Sequence, residues 1–333
     1  AEYKAAGRRK EIQAALKELH WANHELLIPE DLCYLYGRYF EDYLEDVRIC
    51  QEFARNNREL IAEIDAAIVG MDPWGEEMFA MAPRLKVISR FGVGVDTIDL
   101  EGARRRRIYV TNAAGSNAQA VAELAVFLML GVLRHGGELS HAMTEGRWMR
   151  RMGGELSGKT VGLIGFGEIG RRTAELVRAF GAEVIAYKRS PAPELAGKYG
   201  VAFLSREEVM ENCDILSLHI PGTPDNYHMV NRETLARMRR GAILINTGRG
   251  SLVDEAALAE AVSSGQLAGA GLDVFEAEPL AADSPLRKNP RIFLLPHTGG
   301  ETEEAYCQIG LGAVQGVLEV LSGREPSHWV NRW

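Results

Sequence analysis

Residues 160–170 read Thr160-Val-Gly-Leu-Ile-Gly165-Phe-Gly167-Glu-Ile-Gly170. An apolar run with strand character ends in G-x-G-x-x-G and leads into a helical pattern over 171–180. With glycine at 35 of 333 positions, three fixed glycines arise by chance about 0.4 times in such a chain, so composition alone proves little. Placement between strand and helix is what gives the match its weight. The first glycine permits a tight turn, the second lets a pyrophosphate approach the backbone, and the third allows close helix–strand contact. The helix start, with Glu168 and Ile169, then offers unpaired N–H groups to phosphate oxygens. The bland alternative is a tight turn in an α/β domain that holds no cofactor. About 20 residues on, where an acidic residue would bind a ribose 2′-hydroxyl, the sequence is Tyr187-Lys188-Arg189-Ser190. Two cations and no carboxylate favour NADP(H) over NAD(H), with Lys188 and Arg189 at the 2′-phosphate.

Working outward, short β-branched runs alternate with amphipathic helices. Strands are expected at 24–28, 66–69, 86–90 and 108–111, then at 160–165, 184–187, 201–204, 214–219, 242–246, 269–274 and 292–296. This alternation predicts parallel sheets covered on both faces. A long apolar helix at 117–135 and a polar, glycine-rich connection at 136–158 separate two series. The expected architecture is α/β, with two doubly wound parallel-sheet domains. A Rossmann domain (112–300) is inserted into a flavodoxin-like domain (1–111 and 301–333). Two irregularities stand out: a helix-like start at 9–20, as if a first strand were missing, and a long, charged elaboration at 29–65.

The length, 333 residues, suits two domains. A net charge of -8 argues against nucleic acid or anionic lipid as partner. Cys33, Cys50, Cys213 and Cys307 are scattered without metal-ligand spacing, which points to reduced thiols, no metal and a cytoplasmic setting. The apolar stretch 118–133 is interrupted by Gln119 and Glu123 and falls short of a membrane span. The polar, basic start lacks the apolar core of a signal peptide, and the missing initiator Met suggests that the natural start lies upstream.

Three ionisable residues follow strand ends late in the second series. Arg249 follows Ile243-Leu-Ile-Asn-Thr-Gly, Glu278 follows Leu272-Asp-Val-Phe-Glu-Ala, and His297 follows Phe293-Leu-Leu-Pro. Ligands of open α/β sheets bind beyond the carboxyl ends of strands, so the three are expected to converge. Arginine can clamp a carboxylate through two donors, histidine can exchange a proton with a substrate oxygen, and a carboxylate beside it would orient the ring and favour its charged form. Singly, each residue is as readily structural.

These residues, with Gly92-Val-Gly-Val-Asp-Thr-Ile-Asp99, Asn117-Ala-Gln-Ala-Val-Ala-Glu123, Asn246-Thr-Gly-Arg-Gly-Ser-Leu-Val-Asp254, Leu272-Asp-Val-Phe-Glu-Ala-Glu-Pro279 and Pro296-His-Thr-Gly-Gly300, resemble the D-isomer-specific 2-hydroxyacid dehydrogenases. The resemblance runs from about residue 83 to 331. It implies hydride transfer between NAD(P)H and a small 2-oxo or D-2-hydroxy acid, with Arg249, Glu278 and His297 catalytic and His297 the acid/base. It assigns Gly165, Gly167, Glu168, Ile169, Gly170, Pro221, Thr247, Asp273 and Gly300 to the cofactor, while Lys188, beside Arg189, departs from the family by replacing its NAD-type acid. Val93, Gly94 and Arg249 fall to the substrate. It also implies a homodimer formed through the cofactor domain. Residues 70–75 lack Arg and Lys, so an unphosphorylated 2-oxo acid is expected. The alternative is a dinucleotide-sensing binding protein of the corepressor type, with little or no catalysis.

Overall fold

The computed structural model describes residues 58–190 and 193–333. The segments expected at 9–20 and 24–28, the suspected missing first strand, Cys33, Cys50 and most of the 29–65 elaboration lie outside the described residues. Two units are distinguished, one made of 58–117 with Thr302–Trp333 and the other of Ala118–Glu301.

In the first unit, β1 (Ala66–Val69), β2 (Val87–Arg90) and β3 (Tyr109–Asn112) form a parallel sheet in that order. Every residue of β2 is buried, so its side chains must suit both faces alternately. Val87 meets Val314 and Val317 of the helix Glu303–Leu321, while Ile88 joins Phe79, Ala103 and Val110 on the opposite face. The polar residues beneath the long helix are paired: Ser89 Oγ donates to the Ala313 carbonyl at 2.7 Å, and Thr111 Oγ1 donates to Ser89 Oγ at 2.9 Å. A Cβ on Gly316 would stand 2.4 Å from Thr111 Oγ1, so only glycine lets the helix lie this close. Residues 328–331 cover the free edge of β3. Val330 N–H donates to the Val110 carbonyl at 2.8 Å, and Asn331 accepts from Val110 N–H and donates to the Ile108 carbonyl.

The second unit holds seven parallel strands in the order β10-β9-β8-β7-β4-β5-β6. They are β4 (Thr160–Ile164), β5 (Glu183–Tyr187), β6 (Ala202–Phe203), β7 (Ile215–Leu218), β8 (Ala242–Asn246), β9 (Leu267–Leu272) and β10 (Ile292–Leu294). Consecutive apolar residues serve opposite faces. Leu216 and Leu244 pack with Val209, Leu235 and Leu258, whereas Ile215, Ile243 and Ile245 pack with Leu128, Met129 and Val177. The strand order reverses between β4 and β7, which opens a crevice at their carboxyl ends.

Differences from the sequence reading are local. The expected connection 136–158 contains a helix, Gly136–Thr144, anchored by the fully buried Ala142. His135, with φ +54°, breaks it from Ala118–Leu133, and the two axes differ by 70°. No single helix among the described residues is long and apolar enough to cross a membrane. β6 shrinks to two residues at the sheet edge. β9 begins two residues early, with Gly269 admitted beneath the Arg291 carbonyl, where a Cβ would approach to 2.5 Å.

Asn331→Ala leaves the buried Val110 N–H and Ile108 carbonyl without partners. It is expected to lower unfolding free energy by about 1–3 kcal/mol, read as a lower urea midpoint at unchanged slope.

Candidate active site

The turn after β4 requires two of its three glycines, Gly165 and Gly170. Gly165 has φ +104°, and a Cβ there would sit 2.4 Å from the His219 carbonyl. A Cβ on Gly170 would sit 2.2 Å from the Gly165 carbonyl, so the helix Glu168–Ala179 presses directly on the turn. Gly167 faces open space, with nothing within 4 Å of a Cβ, and no side chain caps the helix. Among the described residues the N–H groups of Gly167, Glu168 and Ile169 find no protein acceptor. The Glu168 carboxylate turns to Arg171 at 3.1 Å, and its side chain is largely exposed.

The other assigned cofactor residues lie at neighbouring strand ends. Lys188 donates to the Ser190 carbonyl at 2.9 Å, and Arg189 and Pro221 are exposed. Thr247, just past β8, is buried, and its hydroxyl has no hydrogen-bond partner. An uncapped helix start, an open glycine and an orphaned hydroxyl around one crevice fit a dinucleotide. Among the described residues no His, Cys, Asp and Glu are grouped to hold a metal ion.

Arg249 owes its place to Asn246, which ends β8 fully buried. Asn246 Nδ2 donates to the Arg249 carbonyl at 2.8 Å, and its Oδ1 accepts from Gly248 N–H at 3.0 Å. A Cβ on the next residue, Gly250, would lie 1.8 Å from the Phe275 carbonyl carbon, so the arginine turn rests against the segment that leads to Glu278. Glu278 Oε1 accepts from Phe275 N–H at 3.0 Å, which leaves Oε2 for His297 Nδ1 at 2.7 Å. Arg249 is close enough for its charge to act on both partners.

His297 stands at φ +55°, a backbone region that non-glycine residues seldom hold without support. Asp273 provides that support. Its two carboxylate oxygens accept from Thr298 N–H at 2.7 Å and Gly299 N–H at 2.8 Å, which fixes the chain immediately after the histidine. Gly300 follows, half-buried. No local pattern announces the bracing duty of Asp273, whereas an amide two residues before a glycine at a strand end is the sequence signal for the turn-tying duty of Asn246.

Electrostatics follow the contacts. The hydrogen bond to Glu278, reinforced by the Glu278 and Asp273 charges, raises the His297 pKa above 6.5 against burial and the opposing Arg249 charge. Burial pushes the Glu278 carboxyl upward, but the hydrogen bond and charge of His297, with Phe275 N–H and Arg249, bring it below its ordinary value. Burial leaves the Asp273 carboxyl above the ordinary range despite its backbone donors. His219 is a contrasting case. Burial pushes it down to about 4, its Nε2 lies 2.9 Å from Ser217 Oγ, and a neutral ring of this kind supplies no proton near pH 7.

In the other unit, Val93 and Gly94 lie on the loop after β2. The Val93 carbonyl accepts from Asn112 Nδ2 at 2.7 Å and the Gly94 carbonyl from Arg90 Nε at 3.0 Å. Among the described residues their N–H groups have no protein acceptor.

Glu278→Gln removes the charge that favours the imidazolium. The His297 ring should then titrate at or below its ordinary value of about 6.5, followed by the ring C–H resonance in an NMR pH series; an unmoved midpoint would contradict the pairing.

Residues 126–299 match the family described as D-isomer specific 2-hydroxyacid dehydrogenase, NAD binding domain. A glyoxylate reductase of Korarchaeum cryptofilum is 35% identical over 281 residues, covering 82% of this chain and 85% of that protein. A D-3-phosphoglycerate dehydrogenase of Mycobacterium bovis is 38% identical over 266 residues, covering 79% of this chain but only 50% of that longer protein. A D-lactate dehydrogenase of Aquifex aeolicus, solved with NAD and lactic acid, superposes with a TM-score of 0.74 at 28% identity, covering 88% of this chain and 98% of that one. Strand order, glycine turn and the Arg249–Glu278–His297 grouping thus coincide with a family match over half the sequence, and the chain belongs to the D-isomer-specific 2-hydroxyacid dehydrogenases.

Proposed function

We propose that the protein reduces a small, unphosphorylated 2-oxo acid at the expense of NADPH, reversibly, with His297 as proton donor. The observation that carries this reading is the 2.7 Å contact between His297 Nδ1 and Glu278, with Arg249 beside both. Because Nδ1 is engaged, Nε2 is the nitrogen left to face a substrate oxygen. The Arg249 guanidinium holds the substrate carboxylate through paired donors and polarises the adjacent carbonyl. When bound, the reduced nicotinamide supplies the hydride that goes to the 2-carbon. His297 delivers the proton to the carbonyl oxygen, and Glu278 stabilises the imidazolium until that moment.

The cofactor residues have separate duties. The N–H groups of Gly167, Glu168 and Ile169 take the pyrophosphate, and Thr247, Asp273 and Gly300 border the nicotinamide end. Lys188 and Arg189 support NADP(H) over NAD(H), since no carboxylate stands at the end of β5 to bind a bare ribose. Residues 70–75 carry no Arg or Lys, which favours a substrate of the glyoxylate type over a phosphorylated one. Val93 and Gly94 are assigned to the substrate carboxylate. The half-exposed Phe127 and the strongly exposed Trp148 and Met152 on the cofactor unit support a homodimer formed through that unit.

The deciding experiment is NADPH oxidation with glyoxylate, hydroxypyruvate, pyruvate and phenylpyruvate. Consumption with at least one is expected; tight cofactor binding without consumption would turn the reading towards a dinucleotide sensor. His297→Asn should lower kcat about 100-fold or more at unchanged cofactor affinity.

Reduction needs the imidazolium. Reductive kcat is therefore highest at low pH, is lost as pH rises through the elevated His297 pKa, and fades on the acid side only when Glu278 protonates below its ordinary pKa. Oxidation needs the neutral ring and should rise over the same upper limb, as paired pH–rate profiles would show. Lys188→Asp should move cofactor preference towards NADH, and an unaltered NADPH/NADH ratio of kcat/KM would remove Lys188 from the 2′-phosphate.

A further inference from the structure

Next to the Glu278–His297 pair lies a second histidine–carboxylate pair that takes no direct part in the proposed proton and hydride transfer. His228 Nε2 is 2.5 Å from Glu276 Oε1, and the Tyr227 hydroxyl donates to the same oxygen at 3.1 Å. The Tyr227 and His228 rings stack at 3.9 Å, with 16° between their planes.

The pair joins three segments. The first is 227–230, which runs beside the residues following Arg249: His228 N–H donates to the Ser251 carbonyl and Val230 N–H to the Leu252 carbonyl, both at 2.9 Å. The second is 249–255, closed by Glu255 Oε1 accepting from Glu276 N–H at 2.8 Å. The third is 275–278, where Phe275 N–H, one residue before Glu276, holds Glu278 Oε1. A slip of Glu276 therefore moves the donor that aims Glu278 and the surface on which Gly250 and Arg249 rest.

Stability does not explain the arrangement. Both partners are about 30% exposed (28% and 31%), and pairs this accessible add little to folding. His228 also sits at φ +48°, a conformation that a residue with a Cβ holds only when its surroundings fix it.

We infer that His228 and Glu276 are positioning residues for the reaction, a clamp that sets the Glu278 carboxylate against His297 and the Arg249 turn against both. This rests on the reading of His297 as the acid/base. The groups facing His228 are Glu276, Glu255 and the Tyr227 hydroxyl; those facing His297 are Glu278, Asp273 and Arg249.

The test uses the whole chain, with NADPH and whichever of the four keto acids it reduces fastest. His228→Asn keeps a residue tolerant of left-handed backbone but too short to reach Glu276; Glu276→Gln keeps the size and loses the charge. Each is expected to lower kcat about tenfold, given the sensitivity of rate to sub-ångström placement. Substrate KM should stay within about twofold, since uniform binding is untouched, and Tm should barely move. The alkaline limb of reductive kcat should shift to lower pH in both variants, and the double variant should be no worse than either single one.

The direction of that limb separates position from charge. His228→Asn leaves the Glu276 charge in place, so that field acting alone would not move the His297 limb to lower pH. An upward shift in that variant, opposite shifts in the two variants, or wild-type kcat in both would overturn the clamp. If His297→Asn itself keeps its turnover, the acid/base reading fails first; if His297→Asn is inactive while His228→Asn and Glu276→Gln behave as wild type, only the clamp is lost.

Discussion

The hydrogen bond between Glu278 and His297 is the constraint around which the candidate site is arranged. The histidine comes from a left-handed residue after β10, the glutamate from the loop after β9, and the arginine that acts on both from the turn after β8. Parallel strands bring these three connections to one end of the sheet, and buried polar residues then fix each connection. Asn246 ties the arginine turn, Asp273 braces the segment after the histidine, and Phe275 N–H aims the glutamate. The three candidate side chains are thus held by a shell whose own hydrogen bonds are satisfied, which keeps a site within tolerance.

Glycines play a complementary part. Gly165 and Gly170 bring the helix start onto the turn, and Gly250 brings the arginine loop onto the Phe275 backbone. In each case the space denied to a Cβ is filled by main chain, so these contacts cannot relax by rotating a side chain. The open face of Gly167 is the exception, and it is the one from which a ligand can approach.

Much of this could be read from sequence because buried parallel strands are apolar on consecutive residues. β1 and β8 fall where expected, and β2, β3, β4, β5, β7 and β10 differ by only one or two residues at their ends. The candidate triad was legible for a related reason, since residues just past strand ends have few places to go in such a sheet. What stayed hidden depends on tertiary pairing. Gly136–Thr144 looks like linker because two glycines open it and only Ala142 is fully buried. The brace formed by Asp273 spans 25 positions and the His228–Glu276 contact 48, and neither has a local pattern to announce it. Glu168 beside a phosphate-binding turn reads as a conflict until its carboxylate is seen turned towards Arg171.

The edge cover of β3 bears on how the chain matures. Asn331 reaches Val110 across 221 positions of sequence, and Ala313 reaches Ser89 across 224. The cofactor-binding unit, by contrast, is one uninterrupted stretch, Ala118–Glu301. During synthesis that stretch has every strand it needs while the smaller sheet still shows a bare flank and lacks its long covering helix. A nascent chain that has emerged only through Glu301 thus lacks the helix and edge residues that cover the smaller sheet, and an uncovered strand edge of that kind is a surface on which neighbouring chains can pair out of turn.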